Sequence, residues 1–277
     1  MKKIKISLLL LSIIAICKAQ NPIPNGNFET WSSTGYEYPQ YYQYNSIIRS
    51  LISNNYYAPN VEKTTDAYHG NYAVKLTTIA ASQDTIFGYF LNTPPNEGDV
   101  NTWIGGAPIN ETPTGIRGYY KYNLATIDSA TIIVSFSKMG VNIGTYIFKV
   151  GGITNSYLPF QFTFNPPLSV APDSVVFAAV SSNIFSSNNG IPGACLYIDS
   201  ISLLGITSQP AMLNGDFEYW QNNTLTYPND WYMNNANEDN YGYISLTTDA
   251  AKGNYAIKLE SYLEYDFDDV TWYTRPT

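Results

Sequence analysis

Along most of the chain, apolar residues recur at every second position. Ile132, Val134 and Phe136 alternate with Ile133, Ser135 and Ser137, and Phe160, Phe162 and Phe164 alternate with Gln161 and Thr163. A period of two places each set on one face of a β-strand, so these segments predict half-buried strands. The segments 174–180 and 194–204 are β-branched and apolar runs bounded by Pro172-Asp173, Gly190 and Gly205, and they predict strands as well. Helix patterning is nearly absent: beyond the amino-terminal segment, no stretch keeps apolar residues at i, i+3, i+4 and i+7 for three turns. Short strands separated by Gly, Pro and Asn predict an all-β chain folded as a sandwich or barrel. The long Gly-, Pro- and Asn-rich connection from Pro94 to Gly115 is the kind of segment that carries function more often than a core position does.

Comparing the chain with itself reveals a repeat. Asn25-Gly26-Asn27-Phe28-Glu29-Thr30-Trp31 returns as Asn214-Gly215-Asp216-Phe217-Glu218-Tyr219-Trp220. Further on, Thr64-Thr65-Asp66-Ala67-Tyr68-His69-Gly70-Asn71-Tyr72-Ala73-Val74-Lys75-Leu76 returns as Thr247-Thr248-Asp249-Ala250-Ala251-Lys252-Gly253-Asn254-Tyr255-Ala256-Ile257-Lys258-Leu259. Both blocks keep their order and nearly the same separation. The expected organisation is a complete β unit over residues 20–207 and a second, partial copy over 208–277. The second copy reaches only Thr277, well short of the first, and reads as truncated, with borrowing of strands from elsewhere as the alternative. Its last stretch, with Asp266, Asp268 and Asp269, is then expected to be partly packed.

The first residues read as a targeting segment. Lys2, Lys3 and Lys5 precede the apolar stretch Leu8–Ile16, and Ala19 precedes Gln20 at a plausible cleavage point. The run is too short to span a bilayer, which takes about 20 apolar residues. A lipid anchor on Cys17 is the competing reading, against which stands the bulky Ile16. Residues 1–19 are therefore expected to be a signal peptide, with the remainder secreted or held at the cell surface without membrane insertion. Removing that segment leaves Cys195 alone, so no disulfide is expected within the chain, and its apolar strand makes it a small buried hydrophobe. The net charge of −8 argues against nucleic acid and anionic membrane as partners. Charged residues make up 13% of the chain and aromatics 15%, with 25 tyrosines, so Asn, Ser, Thr and Tyr must cover much of the surface. Neutral, hydroxyl-rich ligands suit such a surface.

The opening Asn-Gly-x-Phe-Glu-x-Trp block resembles the first strand of galactose-binding-like jelly rolls, which include many carbohydrate-binding modules. Ile104-Gly105-Gly106-Ala107-Pro108, Gly118-Tyr119-Tyr120-Lys121-Tyr122, Asp128-Ser129-Ala130, Ala171-Pro172-Asp173-Ser174 and Leu196-Tyr197-Ile198-Asp199-Ser200-Ile201 are similar to the carbohydrate metabolism domain, a jelly-roll family of exported Bacteroidetes proteins. One departure is Ile109 after Pro108, where that family often has Phe. The resemblance implies a jelly-roll β-sandwich and a link to glycans, without an assigned reaction. It also implies a structural calcium ion at Glu29, Asp66 and Asp199, with His69 offering its backbone carbonyl. Calcium accepts about six to eight oxygens in loose geometry, which suits carboxylates meeting loop carbonyls.

For ligand binding, the alternation in 116–122 places Ile116, Tyr120 and Tyr122 on one face and Arg117, Tyr119 and Lys121 on the other. With the first set in the core, Trp103, Arg117 and Tyr119 form the expected platform, since flat rings stack on sugar C–H faces while their polar tips reach hydroxyls. Trp31 and Trp220 read as core residues, and Tyr36, Tyr38, Tyr41, Tyr42 and Tyr44 as the lining of an edge loop. Catalysis has little support. His69, the sole histidine, is matched by Lys252 in the repeat, and Asp99 with Glu111 is the only acid pair to nominate for a glycosidase. The expected function is thus an exported, non-catalytic glycan-binding module. A structural or adhesive surface module and a glycoside-acting enzyme are the alternatives.

Overall fold

The computed structural model describes residues 23–56, 58–81, 84–92, 100–124, 128–186, 190–233, 242–261, 263–266 and 271–274. The expected signal peptide, Asp99, Asp268 and Asp269 lie outside the described residues. In chain order the strands are β1 (Trp31–Pro39), β2 (Val61–Thr64), β3 (Ala73–Thr77), β4 (Ile79–Ala81), β5 (Asp84–Ile86), β6 (Tyr89–Leu91), β7 (Ala107–Pro108), β8 (Gly115–Tyr122), β9 (Ala130–Lys138), β10 (Val141–Val150), β11 (Leu158–Thr163), β12 (Ser174–Val180), β13 (Cys195–Leu204), β14 (Trp220–Pro228), β15 (Gly242–Thr247), β16 (Ala256–Ser261), β17 (Leu263–Asp266) and β18 (Thr271–Thr274). One α-helix, α1 (Asn45–Ser53), is present among the described residues.

The chain divides into two units. The larger comprises Ser33–Leu225 with Met233–Tyr241, and the smaller comprises Met1–Ser32, Thr226–Tyr232 and Gly242–Thr277. In the larger unit two five-stranded antiparallel sheets form the expected all-β sandwich. One has the order β10-β9-β12-β6, with β7 also on β12; the other has the order β11-β8-β13-β3-β2. Period-two alternation builds the core between them. Ile132, Val134 and Phe136 of β9 and Val175, Phe177 and Ala179 of β12 meet Ile116 of β8, Leu196 and Ile198 of β13, and Val74 and Leu76 of β3. The opposite faces of β9 and β12 are buried too. Ile133, Val176 and Ala178 form a second apolar cluster with Leu91 and Val100, and Trp103 packs on it.

Two expectations about local structure are corrected. The tyrosines expected at an edge loop belong largely to the core: Tyr36 and Tyr42 are buried, and Tyr38 and Tyr44 pack against them. Helix α1 escaped the pattern because its apolar residues Ile47, Ile48, Leu51 and Ile52 cover only about two turns. All four are buried, so tertiary packing holds a helix that has no side-chain cap.

The domain boundary differs as well. The opening motif of the second copy does not start a separate body but fills the first one. Phe217 is fully buried, with its ring edge-on to Phe90 at 5.5 Å. Tyr42 Oη donates to the Leu213 carbonyl at 2.7 Å, and Ile201 N–H donates to the Gly215 carbonyl at 2.7 Å. Full burial of Phe217 supplies about 2–3 kcal/mol that a body ending at residue 207 would lack. The first copy's opening motif, up to Trp31, belongs instead to the smaller unit, which also holds most of the second copy.

The two opening motifs adopt the same local structure. Asn25 and Asn214 have φ of 44° and 43°, and Phe28 and Phe217 have φ of 54° and 50°. Each tryptophan closes its own motif, Trp31 Nε1 donating to Phe28 O and Trp220 Nε1 to Phe217 O, both at 2.6 Å. Both indoles are partly buried, and Trp220 packs against the core.

Candidate functional site

The shared frame of the two repeat copies is a carboxylate clasp. In the larger unit Glu218 Oε1 accepts the main-chain N–H of Asn71 at 2.7 Å and of Tyr72 at 2.9 Å, while Asn71 Nδ2 donates to Oε2 at 3.0 Å. Gly70 makes room for it: its φ is +77°, and a Cβ there would lie 2.3 Å from Glu218 Oε1. The smaller unit repeats this arrangement. Glu29 Oε1 accepts the N–H of Asn254 at 2.8 Å and of Tyr255 at 3.0 Å, against Gly253 with φ +88°. Thus the glutamate of each copy clasps the Gly-Asn-Tyr of the other. Burial pushes Glu218 up, but the N–H groups of Tyr72 and Asn71 outweigh it and hold the carboxyl below its ordinary value. The Tyr255 N–H does the same for Glu29.

Asp199, the other frame carboxylate, is fully buried on β13. Its Oδ2 accepts the N–H of Tyr68 at 2.7 Å and of His69 at 3.0 Å, pinning the loop between β2 and β3. Burial raises its pKa, opposed by those same N–H groups. Asp66 is exposed and forms an ion pair with Lys121.

This placement bears on calcium. Asp199 Oδ2 already accepts two N–H groups, Asp66 faces an ammonium, and Glu29 belongs to the smaller unit. The His69 N–H donates to Asp199 Oδ2. Among the described residues no group of three or more His, Cys, Asp or Glu side chains is placed to hold a metal ion. Within the larger unit Asp66, His69 and Asp199 are thus engaged in other contacts, and as arranged they do not fit calcium. Main-chain N–H groups hydrogen-bond Asp199 and Glu29, and the Lys121 ammonium pairs with Asp66.

The outward face of the β11-β8-β13-β3-β2 sheet is the most distinctive surface of the larger unit. Alternation along β8 presents Arg117, Tyr119 and Lys121 there, as the sequence predicts, while Ile116 and Tyr122 are buried. Across the β8–β13 ladder Tyr197 stands opposite Lys121, Asp199 opposite Tyr119 and Ser202 opposite Arg117, with a bulge between Asp199 and Ser202 that keeps this set on one face. Tyr68, 47% exposed, stacks on Tyr119 with ring centroids 3.4 Å apart and planes at 11°. Tyr157 stands edge-on to Tyr68 at 6.1 Å, and Lys121 lies over the rings of Tyr157 at 4.9 Å and Tyr197 at 4.6 Å. Burial, and then the nearby Asp66 and Asp199, push the Tyr157 phenol up, so it stays protonated and donates to the Asp66 carbonyl. Arg117 Nε donates to Ser202 Oγ at 2.9 Å, which orients an exposed guanidinium. Tyr68 and Tyr157 were missed from the sequence. The available signal was that Ala251 replaces Tyr68 in a repeat that otherwise keeps its frame, so the ring is dispensable for the loop's fold.

Trp103 does not join this platform. It is half-buried on the outer face of the other sheet, where its carbonyl accepts from Ser135 Oγ at 3.3 Å and it covers Ile133, Val176 and Ala178. Glu111 is likewise committed: it accepts the N–H of Thr207 at 2.8 Å and of Ser208 at 3.3 Å, and the Thr207 N–H above all lowers its pKa. A glycosidase acid needs a raised pKa, so Glu111 lacks that property. Cys195 is buried, as expected for a packing residue, and burial raises its thiol pKa. An open cleft of about 480 Å3 runs along β2, lined by Gly35, Tyr36, Glu37, Val61, Glu62 and Lys63 among others.

No protein-family model and no curated protein matches the chain. Solved structures share part of its fold at low identity. A Bacteroides thetaiotaomicron protein provisionally assigned as a glycoside hydrolase is 14% identical, with a TM-score of 0.47, and the match covers 64% of this chain and 63% of that one. A family 16 carbohydrate-binding module is 17% identical over 52% of this chain and 85% of its own, with a TM-score of 0.32. A family 11 carbohydrate-binding module from Clostridium thermocellum, solved with a β-1,3-1,4-mixed-linked tetrasaccharide, is 12% identical over 66% of this chain and 95% of its own, with a TM-score of 0.31.

Proposed function

We propose that the chain is an exported, non-catalytic glycan-binding module that takes a polysaccharide along the outward face of the β11-β8-β13-β3-β2 sheet. The observation that carries this reading is the stacked Tyr68–Tyr119 pair beside the oriented Arg117 guanidinium. Tyrosine rings offer an apolar face to sugar C–H groups and a hydroxyl to sugar oxygens. Arg117 has N–H donors beyond the one given to Ser202, and donors of that kind distinguish one hydroxyl arrangement from another. Of the acid pair that a hydrolase would use, the Glu111 carboxylate serves as a clasp for Thr207 and Ser208.

A glycan array on the folded protein tests the reading, followed by affinity measurements on the best ligand. Tyr119→Ala and Arg117→Ala should each weaken binding by about tenfold, equivalent to roughly 1.4 kcal/mol. Because both side chains point outward, the melting temperature should move by only about 1–2 °C. A folded protein that binds no glycan, or variants with undiminished affinity, would remove the proposal. The second reading, a structural or adhesive module, is favoured by the exchange of opening motifs between the copies.

A further inference from the structure

The smaller unit contains part of a strand arrangement that is more extensive within the larger unit. In the larger unit β2 and β3 pair with Val61 opposite Leu76, Glu62 opposite Lys75, Lys63 opposite Val74 and Thr64 opposite Ala73. In the smaller unit β15 and β16 pair with Ile244 opposite Leu259, Ser245 opposite Lys258, Leu246 opposite Ile257 and Thr247 opposite Ala256. By the repeat, each of these pairs is the counterpart of one in the larger unit, in the same register. The loops agree as well: Asp66 N–H donates to Thr64 Oγ1 and Asp249 N–H to Thr247 Oγ1, both at 3.1 Å.

The two arrangements part at the far side of the inner strand. There β3 pairs with β13, placing Leu196 opposite Leu76 and Ile198 opposite Val74. Among the described residues β16 pairs with β15 alone. Val74 and Leu76 are fully buried, whereas of their counterparts Ile257 is half-buried and Leu259 is 53% exposed. The loop amides follow the same rule. Tyr68 and His69 give their N–H groups to Asp199 of β13, and among the described residues the N–H groups of their counterparts Ala251 and Lys252 meet no carboxylate.

We propose that the open edge of β16, with the N–H groups of Ala251 and Lys252, is an acceptor site for a donor β-strand. The donor is an extended segment with the chemistry of Cys195-Leu196-Tyr197-Ile198-Asp199: two apolar residues flanking a central one, then an aspartate, running antiparallel to β16. Strand addition satisfies the open main-chain groups of the edge, and alternate side chains set the register. The donor's Leu and Ile counterparts take places beside Leu259 and Ile257. Its aspartate accepts the Ala251 and Lys252 N–H groups in a charge-assisted pair like that of Asp199. Any residue except proline supplies that N–H, so replacing Tyr68 and His69 by Ala and Lys leaves the site intact.

The test appends a second copy of residues Ala194–Gly205 behind Thr277 through a Gly/Ser linker, which holds the donor at an effective concentration on the order of millimolar. Amide hydrogen exchange is then read at Ala251, Lys252 and along β16. With the donor present, exchange at these amides should slow by about tenfold or more. Asp199→Ala in the appended copy, which removes the acceptor, should lose the protection of Ala251 and Lys252 while keeping that of β16. A donor of scrambled sequence that protects equally well would overturn the proposal, and so would an intact donor that protects nothing. Self-pairing of β16 into dimers, with the donor left free, would also overturn it.

Discussion

The β2–β3 pair and the β15–β16 pair have the same register, the same turn bond and the same clasped Gly-Asn-Tyr, yet Leu76 is fully buried and Leu259 is 53% exposed. Local sequence therefore builds the hairpin and its clasp, and burial is decided by what lies on the other side. In the larger unit that is β13 and the sheet facing it. The clasp shows the same division of labour. Glu218 and Glu29 make nearly equal sets of hydrogen bonds, but the motif around Glu218 also brings Phe217 into a dense aromatic core.

The largest expected effect that sharpens this contrast comes from truncating the two leucines. Leu76→Ala should destabilise the larger unit by about 2–5 kcal/mol, through lost burial and the cavity left behind. Leu259→Ala should cost under about 1 kcal/mol, as an exposed position does. Urea unfolding of the two variants measures both. Equal losses would mean that the smaller unit has a core of its own.

A smaller effect concerns pH. Glu218 and Glu29 have folded pKa values below the ordinary 4.5, so their contribution is fully present above that pH and is lost as pH falls through the lowered values. Asp199 acts with the opposite sign. Its folded pKa lies above 3.8, so the fold loses stability as pH rises from 3.8 through the raised value. Melting temperatures followed from pH 7 downward should thus fall below about pH 4.5 as the glutamates are protonated. Glu218→Gln should flatten the acid limb of the larger unit, since the amide oxygen still accepts hydrogen bonds but does not titrate. An unchanged acid limb in that variant would show that another carboxylate governs it.

The sheets were readable from sequence because period-two alternation maps directly onto two faces. Arg117 and Tyr119 were placed correctly on the outward face by that rule alone. Helix α1 was not readable, since the pattern of Ile47, Ile48, Leu51 and Ile52 is too short to exceed chance, and packing sustains it. Trp103 was misplaced because alternation says nothing about which sheet a long loop will cover. A list of acids likewise does not reveal what will face them: main-chain N–H groups face Asp199, whereas the Lys121 ammonium faces Asp66. The exchange of opening motifs was the feature least legible in the sequence. Identical motifs carry identical clasps, so sequence comparison finds both copies of Glu and both copies of Gly-Asn-Tyr without saying which meets which.

That pairing is also the claim most directly open to measurement. Amide exchange should be followed at Asn71 and Tyr72, and at Asn254 and Tyr255, in Glu218→Ala and in Glu29→Ala. The crossed arrangement requires Glu218→Ala to expose Asn71 and Tyr72 while sparing Asn254 and Tyr255, and Glu29→Ala to do the reverse. If Glu29→Ala instead released Asn71 and Tyr72, each copy would be closing on itself and the account would be wrong.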